Sequence, residues 1–357
     1  MFLFVGTYTK KEGHVDGKAK GLYIYEIDDS TGEIEYRSVF TDLINPSFLC
    51  LHPSLPIIYA VQELTGDTGV PYGRISALSF KAATASLKLI NEQSTFGLAP
   101  CYVSTDAEAK RAMVANYVNG TVVVYPLAGN GSLEPASQVL KHIGSGPHAQ
   151  QASPHAHSVM PDPSGKIVLS ADKGADIIAR YRVGANGLQL QPADPPAIST
   201  PAAAGPRHLA FHPSGKYLYC INELDATVLV YKYESESSPE QIQRIDTLPA
   251  DFDGLKACAD IHVHPNGRFL YGSNRGHDSI VIYAIDPESG TLSLLGHEWT
   301  RGQFPRNFMV HPNGNFLYAA NQNSGNVICF HIEEDGMLTF KGQAWDIPTP
   351  VCLQAGF

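Results

Sequence analysis

Charge is scarce in this chain. Asp, Glu, Lys and Arg make up 17% of its 357 residues, where roughly a quarter is usual, and what charge there is leans acidic, to a net −10. With a hydrophobic content of 43%, that composition excludes a disordered polyelectrolyte and speaks against a nucleic-acid partner. Long apolar runs are missing too. No stretch approaches the roughly 18 consecutive apolar residues of a membrane helix, and the opening MFLFVGTYTK has no basic segment ahead of an apolar one. The expectation is a soluble, cytoplasmic protein with no membrane partner. The cysteines, Cys50, Cys101, Cys220, Cys258, Cys329 and Cys352, are scattered without a C-x-x-C. They read as isolated buried thiols rather than a disulfide framework or zinc site. Also absent are G-x-S-x-G, H-E-x-x-H, G-x-x-x-x-G-K-[ST] and G-x-G-x-x-G, so serine-hydrolase, zincin and nucleotide-binding signatures have no support.

Turn residues, by contrast, are plentiful. The 32 Gly and 25 Pro exceed the usual share of about 12% and predict many short strands. They fall in a repeat: RHLAFHPSGKYLYCINE from Arg207, ADIHVHPNGRFLYGSNR from Ala259 and RNFMVHPNGNFLYAANQ from Arg306 are each two strand-like runs joined by His-Pro-(Ser/Asn)-Gly. Proline presets the turn and glycine permits its positive φ. Weaker copies start at Phe48, Tyr102 and His157. With turns taken at 52, 105, 162, 212, 264 and 311, the period is about 52 residues and the length accommodates about seven copies. A second count agrees: the alternating strands carrying Tyr25, Leu78, Tyr125, Tyr181, Tyr231, Tyr283 and Phe330 make seven. The seventh hairpin is split, VCLQAGF at the end matching its first strand and MFLFVGTY at the start its second.

These patterns predict an all-β chain, one seven-bladed β-propeller over residues 1–357 with four antiparallel strands per blade. Pairing of the N- and C-terminal strands closes the ring. A WD-repeat propeller would show a shorter period and repeated Trp-Asp pairs, whereas only Trp345 is followed by Asp, and no Gly-Gly doublet suggests kelch repeats.

Repeated residues hold blades together, so residues that differ at equivalent positions are the functional candidates. Five residues before each turn stand Ser47, Pro100, His157, Arg207, Ala259 and Arg306; eleven after it stand Glu63, Asn116, Lys173, Glu223, Arg275 and Gln322. In an antiparallel hairpin the entrance of the first strand and the exit of the second share one end, so both columns converge on one face. That face gathers His157, Arg207, Glu223, Arg275 and Arg306, with Lys173, Asp172, His148, Gln151 and His155 nearby. One imidazole, one carboxylate and several guanidinium groups suit a small anionic substrate. Arginines bind carboxylate or phosphate and stabilise an oxyanion, and His or Glu can act as general base. The recurring His52, His212, His264 and His311 read as turn residues. His148, His155 and His157 in a Pro-rich loop lack the fixed geometry of a metal site, so no metal is assigned.

At these residues the sequence resembles the seven-bladed propeller lactonases, the family of bacterial propeller-type 6-phosphogluconolactonases and fungal carboxy-muconate lactonizing enzymes. VGTYT with GLYIYEID, GPHAQQASPHAHSVMPDPSGK, GPRHLAFHPSGKYLYCINE and HPNGRFLYGSNRGHDSI carry the likeness over essentially the whole chain. The resemblance implies a cofactor-free enzyme acting on a lactone ring. It places His157, Arg207, Glu223 and Arg275 at the channel mouth; together with the column reading, catalysis is expected of His157, Arg207 and Glu223, and substrate binding of Arg275, Arg306, Lys173, His155 and Gln151. The expected reaction is hydrolysis of 6-phosphogluconolactone in the pentose phosphate route, with Glu223 or His157 as base. A muconate-type cycloisomerase and a non-catalytic binding scaffold are the alternatives. No role is assigned to the loop from Glu63 to Tyr72.

Overall fold

A computed structural model of the chain describes residues 1–66 and 72–357; part of the Glu63 to Tyr72 loop lies outside them. Among the described residues, seven four-stranded antiparallel sheets account for nearly all regular structure, joined by a short hairpin of Lys11–Glu12 with Val15–Asp16. Blade 5 is the clearest copy. Its strands A to D are Pro206–Phe211, Tyr217–Asn222, Thr227–Lys232 and Glu240–Asp246, in that order from the axis outward. Strand B is buried at every residue, whereas the outer strand D is mostly exposed or half-buried. A strand covered on both faces reads as an unbroken apolar run, and an outer one alternates.

The ring closes as the split hairpin predicts. Pro350–Gly356 is the innermost strand of blade 1 and pairs antiparallel with Phe2–Thr7, Phe2 facing Gly356 and Val5 facing Leu353. All seven residues equated by the second repeat count, Tyr25 through Phe330, face the second residue of their strand B.

Apolar clusters fill the space between blades; one joins Tyr219, Ile221, Val228 and Val230 of blade 5 to Ile261, Leu270, Val281 and Tyr283 of blade 6. Buried tyrosines on strand B add a polar staple to the next blade. Tyr59 donates to Gly131 O at 2.8 Å, Tyr219 to Gly290 O at 3.0 Å, Tyr271 to Gly336 O and Tyr318 to Gly32 O at 2.9 Å. Each acceptor glycine sits at positive φ in the turn between strands C and D. A buried hydroxyl without such a partner would cost stability. The turn histidines are structural, as expected: His264 Nδ1 accepts from Asn266 N at 3.2 Å while its Nε2 donates to Gly314 O of the next blade at 2.8 Å.

Two local readings change. In blade 3 the turn begins at Asp106, not Thr105, because Asp106 N bonds Arg111 O as His212 N bonds Tyr217 O in blade 5. The blade 3 members of the two columns are therefore Cys101 and Tyr117 rather than Pro100 and Asn116. In blade 4, Pro161 sits in a strand A of only two residues, Met160–Pro161; His157 precedes it and is held by its own N–H to Ala171 O at 2.9 Å.

Candidate active site

One residue per blade follows strand B directly: Tyr8, Glu63, Tyr117, Lys173, Glu223, Arg275 and Gln322. Each is tied by its backbone N–H to the loop entering strand A, as Glu223 N is to Gly205 O at 2.7 Å, Lys173 N to His155 O at 3.0 Å and Tyr8 N to Thr349 O at 3.2 Å. The preceding residue is a structural clamp: Asn116, Asn274 and Asn321 donate to Thr95 O, Thr247 O and Thr300 O of the neighbouring blade. Opposite this column, strand A bulges. The register skips at Cys101, Arg207, Arg306 and Val351. A bulge re-aims one side chain, and here it turns those residues out of the ladder at the channel mouth.

The two columns enclose a cavity of about 290 Å³ lined by His14, Glu63, Cys101, Tyr117, His157, Lys173, Glu223, Arg275 and Arg306, among others. Glu223 is its electrostatic hub. Lys173 Nζ lies 2.6 Å from Oε1, and Arg207 Nε and Arg275 Nη2 each lie 2.9 Å from Oε2. Burial alone would raise the carboxyl pKa, but Arg275, Lys173 and Arg207 together hold it well below the usual range. His157, 4% exposed, is pushed well below the ordinary histidine value by burial first and then by Arg207 and His208, so its imidazole is neutral at neutral pH. Its Nδ1 lies 3.8 Å from Cys101 Sγ. The Cys101 thiol is itself held protonated by burial.

Around the rim, a second carboxylate, Glu63, accepts from Tyr8 Oη at 2.8 Å and Ser47 Oγ at 2.6 Å, with His14 Nε2 at 3.6 Å. Arg306 forms no ion pair and no hydrogen bond among the described residues; its guanidinium lies over the Tyr8 ring, 5.8 Å from the centroid. Arg207, 2% exposed, lies below the cavity floor beside a small void that Cys101, Glu63 and Arg306 also line.

The structure thus brings His157, Glu223, Arg275, Arg306 and Lys173 to one cavity and sets Arg207 directly beneath it. Gln151 and His155 do not line it. Gln151 is fully buried, donating to Lys173 O at 2.8 Å and Asp176 Oδ1 at 2.7 Å. His155 stacks on Tyr117 at 4.5 Å with its Nδ1 2.9 Å from Tyr117 O, and His148 organises the same loop by accepting from Gln150 N. Asp172 caps the turn ahead of Ala175 and pairs with buried His142 at 2.7 Å. Sequence reasoning missed Cys101, Tyr117, Tyr8 and His14. The first two were recoverable from Asp106, which stands where Asp162 stands in blade 4.

A larger depression of about 660 Å³ lies on the opposite face. Its cations are both paired, Arg111 with Asp106 at 3.0 Å and Lys110 with Glu108 at 2.5 Å, and Asp162 is taken up by Ser164 Oγ and Tyr233 Oη, leaving no convergent set for a ligand. No residue cluster suited to a metal ion occurs among the described residues, and no helix is long and apolar enough to cross a membrane.

Known proteins share this fold over nearly the whole chain. The chain is similar to a 6-phosphogluconolactonase of Bacillus subtilis (strain 168), 33% identical over 353 residues, 98% of this chain and 97% of the relative. A 6-phosphogluconolactonase of Formosa agariphila is 34% identical over 312 residues, 86% of this chain and 85% of the relative. Among solved structures, the periplasmic gluconolactonase PpgL of Pseudomonas aeruginosa superposes with a TM-score of 0.93 at 32% identity, over 99% of this chain and 98% of that one. A family model, "Lactonase, 7-bladed beta-propeller", matches residues 2–355, and the chain belongs to that family.

Proposed function

We propose that the mouth hydrolyses a phosphorylated sugar δ-lactone, 6-phosphogluconolactone, to the open-chain acid. The observation that carries this reading is the charge of the site. Among the described residues that line the cavity and the void beneath it, Lys173, Arg207, Arg275 and Arg306 face two carboxylates, Glu63 and Glu223, around a neutral His157, on a chain of net charge −10. A local excess of about two positive charges matches a phosphate monoester, which carries roughly −1.5 to −2 near pH 7. Arg306, which has no ion pair or hydrogen bond among the described residues, is the primary phosphate contact, with Lys173 and Arg275 on the same cavity wall.

The burial of Glu223 among three cations argues against it as the base, because a carboxylate so stabilised accepts a proton poorly. His157 takes that role. Bound phosphate offsets the surrounding cations and raises the basicity of the imidazole toward the working range. Water attacks the lactone carbonyl carbon and gives its proton to His157. The cationic wall stabilises the tetrahedral oxyanion. The ring C–O bond then breaks, and the leaving alkoxide recovers the proton from the imidazolium, so no co-reactant is needed.

Free thiols and a phosphorylated substrate favour the cytoplasm as its compartment. The test is hydrolysis of freshly generated 6-phosphogluconolactone, read by coupled 6-phosphogluconate dehydrogenase above the spontaneous rate, with Arg207→Ala beside the wild type. A large acceleration that the variant loses supports the reading; no acceleration overturns it.

A further inference from the structure

Beneath the cavity a chain of polar groups, buried at Arg207, His208 and Asp260 and half-exposed at His262, continues down the channel axis. His262 Nε2 meets Asp260 Oδ2 at 3.0 Å, Asp260 Oδ1 meets His208 Nδ1 at 2.8 Å, and His208 Nε2 meets Arg207 Nη1 at 3.2 Å. Arg207 in turn holds Glu223. The direction of these bonds is fixed by chemistry. A guanidinium only donates, so His208 Nε2 must be the unprotonated nitrogen, and the proton must sit on Nδ1 and point at Asp260. Asp260 is saturated as an anion: it also accepts from Ile261 N at 3.0 Å, from Asn307 Nδ2 and from Phe308 N at 3.3 Å.

We infer that His208 and Asp260 are positioning residues for the hydrolysis, fixing the Arg207 guanidinium, and through it the Glu223 carboxylate, by holding His208 in its Nδ1–H tautomer. The inference rests on the proposed hydrolysis for its kinetic readout, but not for its structural one. Arg207 Nη1 has one other partner, Ala259 O; without an acceptor at His208, one N–H of a nearly fully buried cation is left unsatisfied, and the guanidinium turns away from its setting. Burial, reinforced by Arg207, pushes the His208 pKa down to about 4, which keeps the ring neutral and able to accept. Neither His208 nor Asp260 lines the substrate cavity, so their loss falls on turnover and spares affinity.

Asp260→Asn separates this role from mere packing. The introduced NH2 faces Ile261 N–H and His208 Nδ1–H if it lies at the Oδ1 position and Phe308 N–H if it lies at Oδ2, so in either orientation a donor meets a donor and the anion that fixes the His208 tautomer is gone. Substitution at His208 gives the complementary test, since the side-chain oxygen introduced by His208→Gln reaches where Nε2 was, whereas the shorter amide of His208→Asn does not. The experiment is ¹⁵N NMR of ring-labelled histidine in the whole protein, with kcat, KM and thermal midpoint for each variant. The expected result is an Nδ1–H tautomer for wild-type His208. Asp260→Asn should lower kcat about tenfold or more with KM within about twofold, and His208→Gln should keep more activity than His208→Asn. An Nε2–H tautomer in the wild type, or folded Asp260→Asn with normal kcat, overturns the inference. A wild type that hydrolyses no lactone refutes the reaction instead, and the tautomer then decides this inference alone.

Discussion

Arg207 and Glu223 stand 16 residues apart in sequence and meet at 2.9 Å, one at the bulge of strand A and the other just past strand B of the same hairpin. That meeting makes Glu223 the shared counter-charge of three cations drawn from blades 4, 5 and 6. A repeat fold reaches such a site by varying two positions per blade while leaving the sheet unchanged.

Glu223→Gln removes this counter-charge and leaves three cations facing each other. Breaking a buried ion pair from one side costs about 3–5 kcal/mol, so a lower thermal midpoint and loss of most activity are expected. Because the folded pKa lies below its ordinary 4.5, the contribution is present above that pH and lost as the solution acidifies through the folded value. Acid unfolding of the wild type below about pH 4.5 should be steeper than that of Glu223→Gln; superimposable acid limbs would count against the hub.

His157 acts in a higher window with the same sign. Its folded pKa is depressed, so the unfolded chain protonates first, and stability is undiminished above about pH 6.5 and declines below it. The kcat/KM profile of the free enzyme should stay level through neutral pH and fall only well below 6.5. An acid limb at the ordinary histidine value would contradict a buried neutral base.

Arg306→Ala should separate charge from ring chemistry. KM for 6-phosphogluconolactone is expected to rise about tenfold or more, while hydrolysis of uncharged gluconolactone changes little. Equal losses on both lactones would move the phosphate contact elsewhere.

Gly205 holds the carbonyl that anchors Glu223 N, at φ +65 and with a Cβ position 2.6 Å from Leu224 Cγ. Gly205→Ala should cost about 1–2 kcal/mol in backbone strain alone, read as a lower thermal midpoint, and should reduce kcat by displacing Glu223.

The blade count, the ring closure and six of the cavity-facing or floor residues, His157, Lys173, Arg207, Glu223, Arg275 and Arg306, were legible because period and turn chemistry are written locally, in His-Pro-x-Gly and in alternating strands. Cys101 and Tyr117 were not, since blade 3 replaces that turn with Asp106 and a one-residue slip exchanges a functional column for a clamp such as Asn116. Tyr8 belongs to the column but lies in the split hairpin, where no turn marks the register. Gln151 and His155 are close in sequence to the cavity, yet their hydrogen bonds to Lys173 O and Tyr117 O depend on loop geometry that composition does not encode.

The role of His157 is tested most directly by steady-state hydrolysis of 6-phosphogluconolactone by wild type and His157→Gln, side by side and corrected for the spontaneous rate. The expected result is a wild-type rate far above background, and a variant that folds normally, keeps KM and loses kcat by about a hundredfold or more. A folded His157→Gln that turns over like the wild type would contradict it.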